Sequence, residues 1–112
     1  MGDRVRWILA ATLALVSTAG AIGAEATYQV GLGVSSCGTA FKNLEFEAVA
    51  EGWILGFWTG VNLLNEQDHL VGTGFDGNSI VGEVKKLCAD EPSQALSHAT
   101  VKAYQKMASE RR

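Results

Sequence analysis

Proline is nearly missing from this chain: Pro92 is the only one in 112 residues. A proline-rich linker or polyproline recognition segment is thereby excluded, and helices can run on without that interruption. Long apolar runs are missing too. The longest, Trp7 to Val16 (WILAATLALV), covers 10 residues, about half of what a bilayer-spanning helix needs. Metal-ligating side chains are scarce. Two cysteines and two scattered histidines do not offer the ligand sets that protein metal sites use, and no cofactor is expected. Positive charge is in the minority, with nine Lys and Arg against twelve Asp and Glu. Nucleic acid, which is held by neutralising its phosphates with a basic face, is a poor match.

What is present begins with an export signature. Arg4 and Arg6 precede the Trp7 to Val16 run, and small residues from Ser17 to Ala26 follow it. Ala19-Gly20-Ala21, Ile22-Gly23-Ala24 and Ala24-Glu25-Ala26 are candidate cleavage triplets. A basic start, a short apolar middle and a small-residue exit are the parts of a secretory signal peptide. Residues 1–24 are read as that signal, cleaved after Ala24, with no stable membrane anchor left behind. Val5 separates the arginines, so this is not a twin-arginine signal, and no cysteine closes the apolar run to carry a lipid.

Residues 25–112 then form one small domain, with eleven acids against seven bases. A domain of this size buries only about 60–65% of its unfolded surface and gains from a covalent staple. Cys37 and Cys88 are the only cysteines. Both lie past the signal, in an oxidising compartment, and are expected to pair. Closing so long a loop is worth roughly 4 kcal/mol in the chain-entropy account.

Residues 25–36, in which Tyr28, Val30 and Val34 are interleaved with glycine, read as a flexible or extended lead-in. Residues 37–112 read as an all-α bundle of three to four helices. The clearest helix is Leu44 to Leu64, where Phe46, Ala50, Trp53, Phe57, Val61 and Leu64 recur at three- and four-residue steps and mark one buried face. Glu45, Glu47 and Glu51 near its start suit the positive end of the helix dipole. Residues 66–77 (EQDHLVGTGFDG) form a loop. A second helix begins at Asn78 or Ser79, buries Ile80, Val84, Leu87 and Cys88, and ends near Ala89. Pro92 suits the first turn of a third, from about Ser93 to Ser109, with Leu96, Thr100, Ala103, Tyr104 and Met107 inward.

Within the long helix, Gly52, Gly56 and Gly60 stack along one side. Each costs roughly 1 kcal/mol against alanine, and close approach of another helix is the simplest compensation. The third helix of the same chain is the first candidate for that neighbour, and a homodimer or partner helix is the second. Gly72-Thr73-Gly74-Phe75-Asp76-Gly77 matches G-x-G-x-x-G, but the residues before it are too polar for the buried strand that a dinucleotide site requires. His69 and His98 lack a nucleophile elbow to serve, and only Glu47 and Glu51 among the acids share a helix face. No catalytic residue is assigned, and the protein is not expected to be an enzyme.

Three segments carry a resemblance: Cys37-Gly38-Thr39, then Gly52-Trp53-Ile54-Leu55-Gly56-Phe57-Trp58-Thr59-Gly60-Val61-Asn62, then Cys88-Ala89-Asp90-Glu91-Pro92 with Leu96. Together they resemble the small periplasmic helical proteins grouped around HdeA and HdeB, the acid-stress chaperones, and are similar to the Tai-type immunity proteins that neutralise amidase effectors. The resemblance implies a periplasmic, disulfide-stapled, non-enzymatic protein. On the first likeness it binds unfolded periplasmic proteins in acid, through Trp53, Phe57, Trp58 and Val61 with Gly56 and Gly60 beside them. On the second it blocks a specific protein partner with the 66–77 loop, whose Glu66, Asp68 and Asp76 would meet a basic cleft.

Overall fold

The computed structural model describes residues 26–111. The signal peptide read at residues 1–24 lies outside them. Among the described residues the fold is all-α: four helices, no strands and one disulfide.

Ser36 starts the first helix, α1 (Cys37–Ala40), by accepting the Thr39 N–H on its Oγ at 3.2 Å. Asn43 caps α2 (Leu44–Leu64) in the same way, its Oδ1 accepting from Phe46 N–H at 2.9 Å. Each cap satisfies an N–H that has no partner inside its own helix. With 21 residues, α2 is about 31 Å long and is the spine of the molecule. Helix α3 (Gly77–Asp90) begins earlier than the sequence suggests, because Asp76 is the cap, accepting from Ser79 N–H at 2.8 Å.

Helix α4 (Leu96–Glu110) begins later than Pro92 suggests. Residues 92–94 form a turn instead, closed by Gln94 N–H on the Glu91 carbonyl at 3.1 Å, and the Pro92 and Gln94 carbonyls are used elsewhere. Cys37 N–H donates to the Gln94 carbonyl at 2.8 Å and Gly38 N–H to the Pro92 carbonyl at 2.9 Å, while Leu96 N–H reaches back to the Ser35 carbonyl at 2.8 Å. This short pairing holds α1 against the start of α4. The Cys37–Cys88 disulfide, with Cα atoms 5.3 Å apart, then joins α1 to the last turn of α3. The staple therefore sits where the sequence places it.

The core lies between α2 and the α3–α4 pair. The inward residues read on α3 and α4 are buried, Leu87 only partly, with Val81 and Ala99 added. The face of α2 is different from the one its spacing suggests. Ala50, Ile54 and Trp58 are its fully buried residues, while Leu64 is 83% exposed. Trp53 and Phe57 are only half-buried. The inward stripe is rotated by about one residue (100°) around the helix. Aromatic side chains on both flanks blur the apolar pattern that periodicity reads.

The lead-in also differs. Gly31–Val34 forms one 3-10 turn, with Gly33 buried and Leu32 packed on the core. A Cβ on Gly33 would lie 2.0 Å from Cζ2 of Trp53, so only glycine fits beneath that ring. No helix among the described residues is long and apolar enough to cross a membrane.

Candidate functional site

Among the described residues, the glycines of α2 do not meet another helix. A Cβ built on Gly52, Gly56 or Gly60 finds no atom within 4 Å. The expected packing of this side against the third helix is therefore absent, because the inward rotation at Ile54 and Trp58 turns the glycines outward. What they leave is space. Gly52, Trp53, Gly56 and Phe57 form the floor of a groove of about 740 Å³. Thr27 to Val30 make one wall, and Ser97, His98 and Val101 of α4 make the other.

Two features give the groove its character. Trp53 and Phe57 stack on each other, centroids 5.4 Å apart and planes 16° from parallel, one helical turn apart on the floor. His98 is the only residue of the lining whose side chain gains a positive charge on protonation, and the lining has no Asp, Glu, Lys or Arg. In a chain dominated by acids, this is an uncharged apolar strip of the size that ligand clefts have.

The other expected surface residues divide. Gly56 joins Trp53 and Phe57 in the groove, and Gly60 is open beside it without lining it. Val61 is half-buried against the core. Trp58 is 3% exposed, and its indole N–H donates to the Val71 carbonyl at 2.8 Å. Its ring meets Tyr104 edge-on at 5.0 Å. Trp58 is therefore a structural residue, five positions and about 140° round the helix from Trp53. Tyr28, Val30, Ser97, His98 and Val101 were not singled out by sequence as surface. The alternation of Tyr28 and Val30 in the lead was the one available signal.

Comparison with known protein families, curated proteins and solved structures finds no match. The remaining candidates are thus judged on geometry alone.

The 66–77 loop is built tightly. Trp58 and Asn62 both donate to the Val71 carbonyl, at 2.8 and 3.0 Å. Asn65 Oδ1 accepts the Gln67 and Asp68 N–H groups. Tyr104 Oη donates to Asn62 and accepts from Asn65. His69 Nδ1 lies 2.8 Å from the Asn62 carbonyl, which can only accept, so that nitrogen carries the proton. Arg111 donates to Asp68 at 2.7 Å and pins the loop to the end of α4. That hydrogen bond, with the Leu70 N–H, holds the Asp68 carboxyl below its ordinary value of 3.8. Asp76 is lowered by the Ser79 N–H it caps. Two of the loop's three acids are thus committed within the chain, and Leu70 and Phe75 are left 59% and 51% exposed.

Gly72 and Gly74 take positive φ, each +93°, which accounts for the glycine pattern as turn chemistry. No strand precedes it among the described residues. Of the acids on α2, Glu47 pairs with Lys85 of α3. On α3, Glu83 is held down by the Lys86 hydrogen bond first and by Lys106 of α4 to a smaller degree. No group of three or more metal-ligating side chains occurs among the described residues.

Proposed function

We propose that this chain is a small exported, non-enzymatic protein that holds apolar segments of other proteins in the groove between its lead, α2 and α4. The observation that carries this reading is the floor. Two helical glycines, Gly52 and Gly56, face open space beside the Trp53–Phe57 stack, and nothing among the described residues compensates their cost. A flat floor lets a bound backbone approach closely, while the stacked rings offer apolar area. The resemblance to the HdeA and HdeB group supports unfolding periplasmic proteins as the clients and acid as the occasion. In acid, the ion pairs that join α2 to α3, α3 to α4 and the loop to α4 lose their carboxylates. The Cys37–Cys88 bond keeps α1 and α3 tethered while packing loosens.

The test is light scattering of an aggregation-prone client near pH 2.5 and at pH 7. Suppression that is lost in Trp53→Ser and Phe57→Ser supports the reading. No suppression at either pH removes it.

One observation favours a second reading, that of a stoichiometric inhibitor. The 66–77 loop is fixed by side chains from α2 and α4 yet presents Leu70 and Phe75 to solvent. A rigid loop with an apolar tip suits insertion into a partner's cleft. Under that reading Leu70→Asp and Phe75→Asp abolish binding while Phe57→Ser leaves it intact, the reverse of the groove account.

A further inference from the structure

One wall of the groove is attached unlike the other. Among the described residues, 26–30 make a single hydrogen bond to the chain beyond the 3-10 turn they lead into, from Trp53 Nε1–H to the Val30 carbonyl at 3.2 Å. No ion pair reaches this segment. The attachment changes abruptly at Ser35, whose carbonyl accepts from Leu96, and at Cys37, which donates to Gln94 and is bonded to Cys88. Residues 26–30 are therefore a short arm that leaves the turn Gly31–Val34, where Leu32 packs on the core and two glycines lie against Trp53. Gly31 approaches the ring edge, and Gly33 lies beneath its face.

The arm carries apolar residues that are mostly in contact with water. Tyr28 is 91% exposed and Val30 64% exposed, although both line it. The facing wall presents Val101, Ser97 and His98. An aromatic ring that lines an apolar groove and still spends most of its surface in water gains by moving over whatever fills that groove. The side chains of the opposite wall cannot do this, because α4 is fixed by its buried face.

Building on the groove reading above, we infer that residues 26–30 are a strap, hinged at Gly31, that closes over an apolar peptide segment and buries Tyr28 against it. The segment lies on Gly52 and Gly56, beside the Trp53–Phe57 stack. Closure needs rotation at Gly31, whose φ of +77° is open to glycine, and the loss of one solvent-exposed hydrogen bond, while the turn at Leu32 and Gly33 and the pairing of residues 35–38 with 92–96 stay in place. The strap's seat on Trp53 acts as its resting stop.

Backbone ¹⁵N relaxation of the oxidised protein, free and with a blocked apolar pentapeptide of leucine, alanine and phenylalanine, tests this. In the free protein, order parameters for residues 27–30 should fall below about 0.6 while α2 stays near 0.85. With peptide they should rise to helix-like values, and Tyr28→Ser should weaken binding at least fivefold without altering the melting temperature. Helix-like order in the free protein would make the segment a fixed wall and overturn the strap. So would binding that leaves the segment mobile or is indifferent to Tyr28→Ser. No peptide-induced shift at Phe57 or Val101 would instead overturn the groove reading on which the strap depends.

Discussion

Trp53 and Trp58 stand five residues apart on one helix, and each donates its indole N–H to the carbonyl of an irregular segment. The two segments could hardly differ more. Trp58 is buried and its bond is one of several that fix the 66–77 loop, with Asn62, Asn65, Tyr104 and Arg111 supplying the rest. Trp53 is half-buried, and among the described residues its bond is the only one that ties residues 26–30 to the chain beyond the 3-10 turn that follows them. Absence of regular secondary structure is therefore not the same as looseness. What decides mobility is where the backbone groups find partners, and whether those partners are buried.

The largest expected effect separates the two tryptophans. Trp58→Ala should cost about 3–5 kcal/mol in urea unfolding, from lost burial and the loss of one of the two hydrogen bonds on the Val71 carbonyl. Trp53→Ala should cost about 1–2 kcal/mol, since a half-buried ring forfeits only part of the burial term. Equal losses would erase the distinction between the two segments. Tyr104→Phe comes next, at about 1–2 kcal/mol. It removes the hydroxyl that joins Asn62 to Asn65 and leaves both amides short of a partner. Thermal melting should show it, and loop amides should lose exchange protection before those of α3.

Gly56→Ala should go the other way and stabilise the fold by about 0.5–1 kcal/mol, because its Cβ meets nothing. A destabilised variant would mean that something packs there after all, a second copy of the chain being the first suspect. Sedimentation of the wild type over a range of concentrations would then reveal a dimer that Gly56→Ala weakens.

The smallest effect concerns acid. Asp68, Asp76 and Glu83 have folded-state values below their unfolded ones. The stability they contribute is present above about pH 4 and is lost as pH falls through the lowered values, where the unfolded chain binds the extra protons. Asp68→Asn should therefore lower the urea midpoint slightly at pH 7 and leave it unchanged relative to wild type near pH 2.

Some of this architecture was legible in the residues alone. The disulfide followed from two cysteines and a small domain, and the inner faces of α3 and α4 from their clean spacing. The face of α2 was not. Phe46, Trp53, Phe57 and Trp58 crowd that helix on adjacent sides, so apolar spacing fits two stripes about 100° apart and does not choose between them. The same ambiguity hid the groove. Trp53, Gly56 and Phe57 line one groove, whereas Trp58, which sequence groups with them as an adjacent aromatic, is buried. The start of α4 was misplaced because Pro92 is a good first-turn residue, while a pairing across more than fifty positions claims the carbonyls of Pro92 and Gln94. Such long-range hydrogen bonds leave no local mark.

The central claim is that the space over Gly52 and Gly56 is a binding site for apolar segments, and Gly56→Leu tests it most directly. A Cβ there has open room, so the variant should fold with an unchanged near-ultraviolet spectrum while its side chain fills the groove. Titrated with an apolar peptide that the wild type binds, it should show at least tenfold weaker affinity. Undiminished binding by the folded variant would place the site elsewhere and contradict the account.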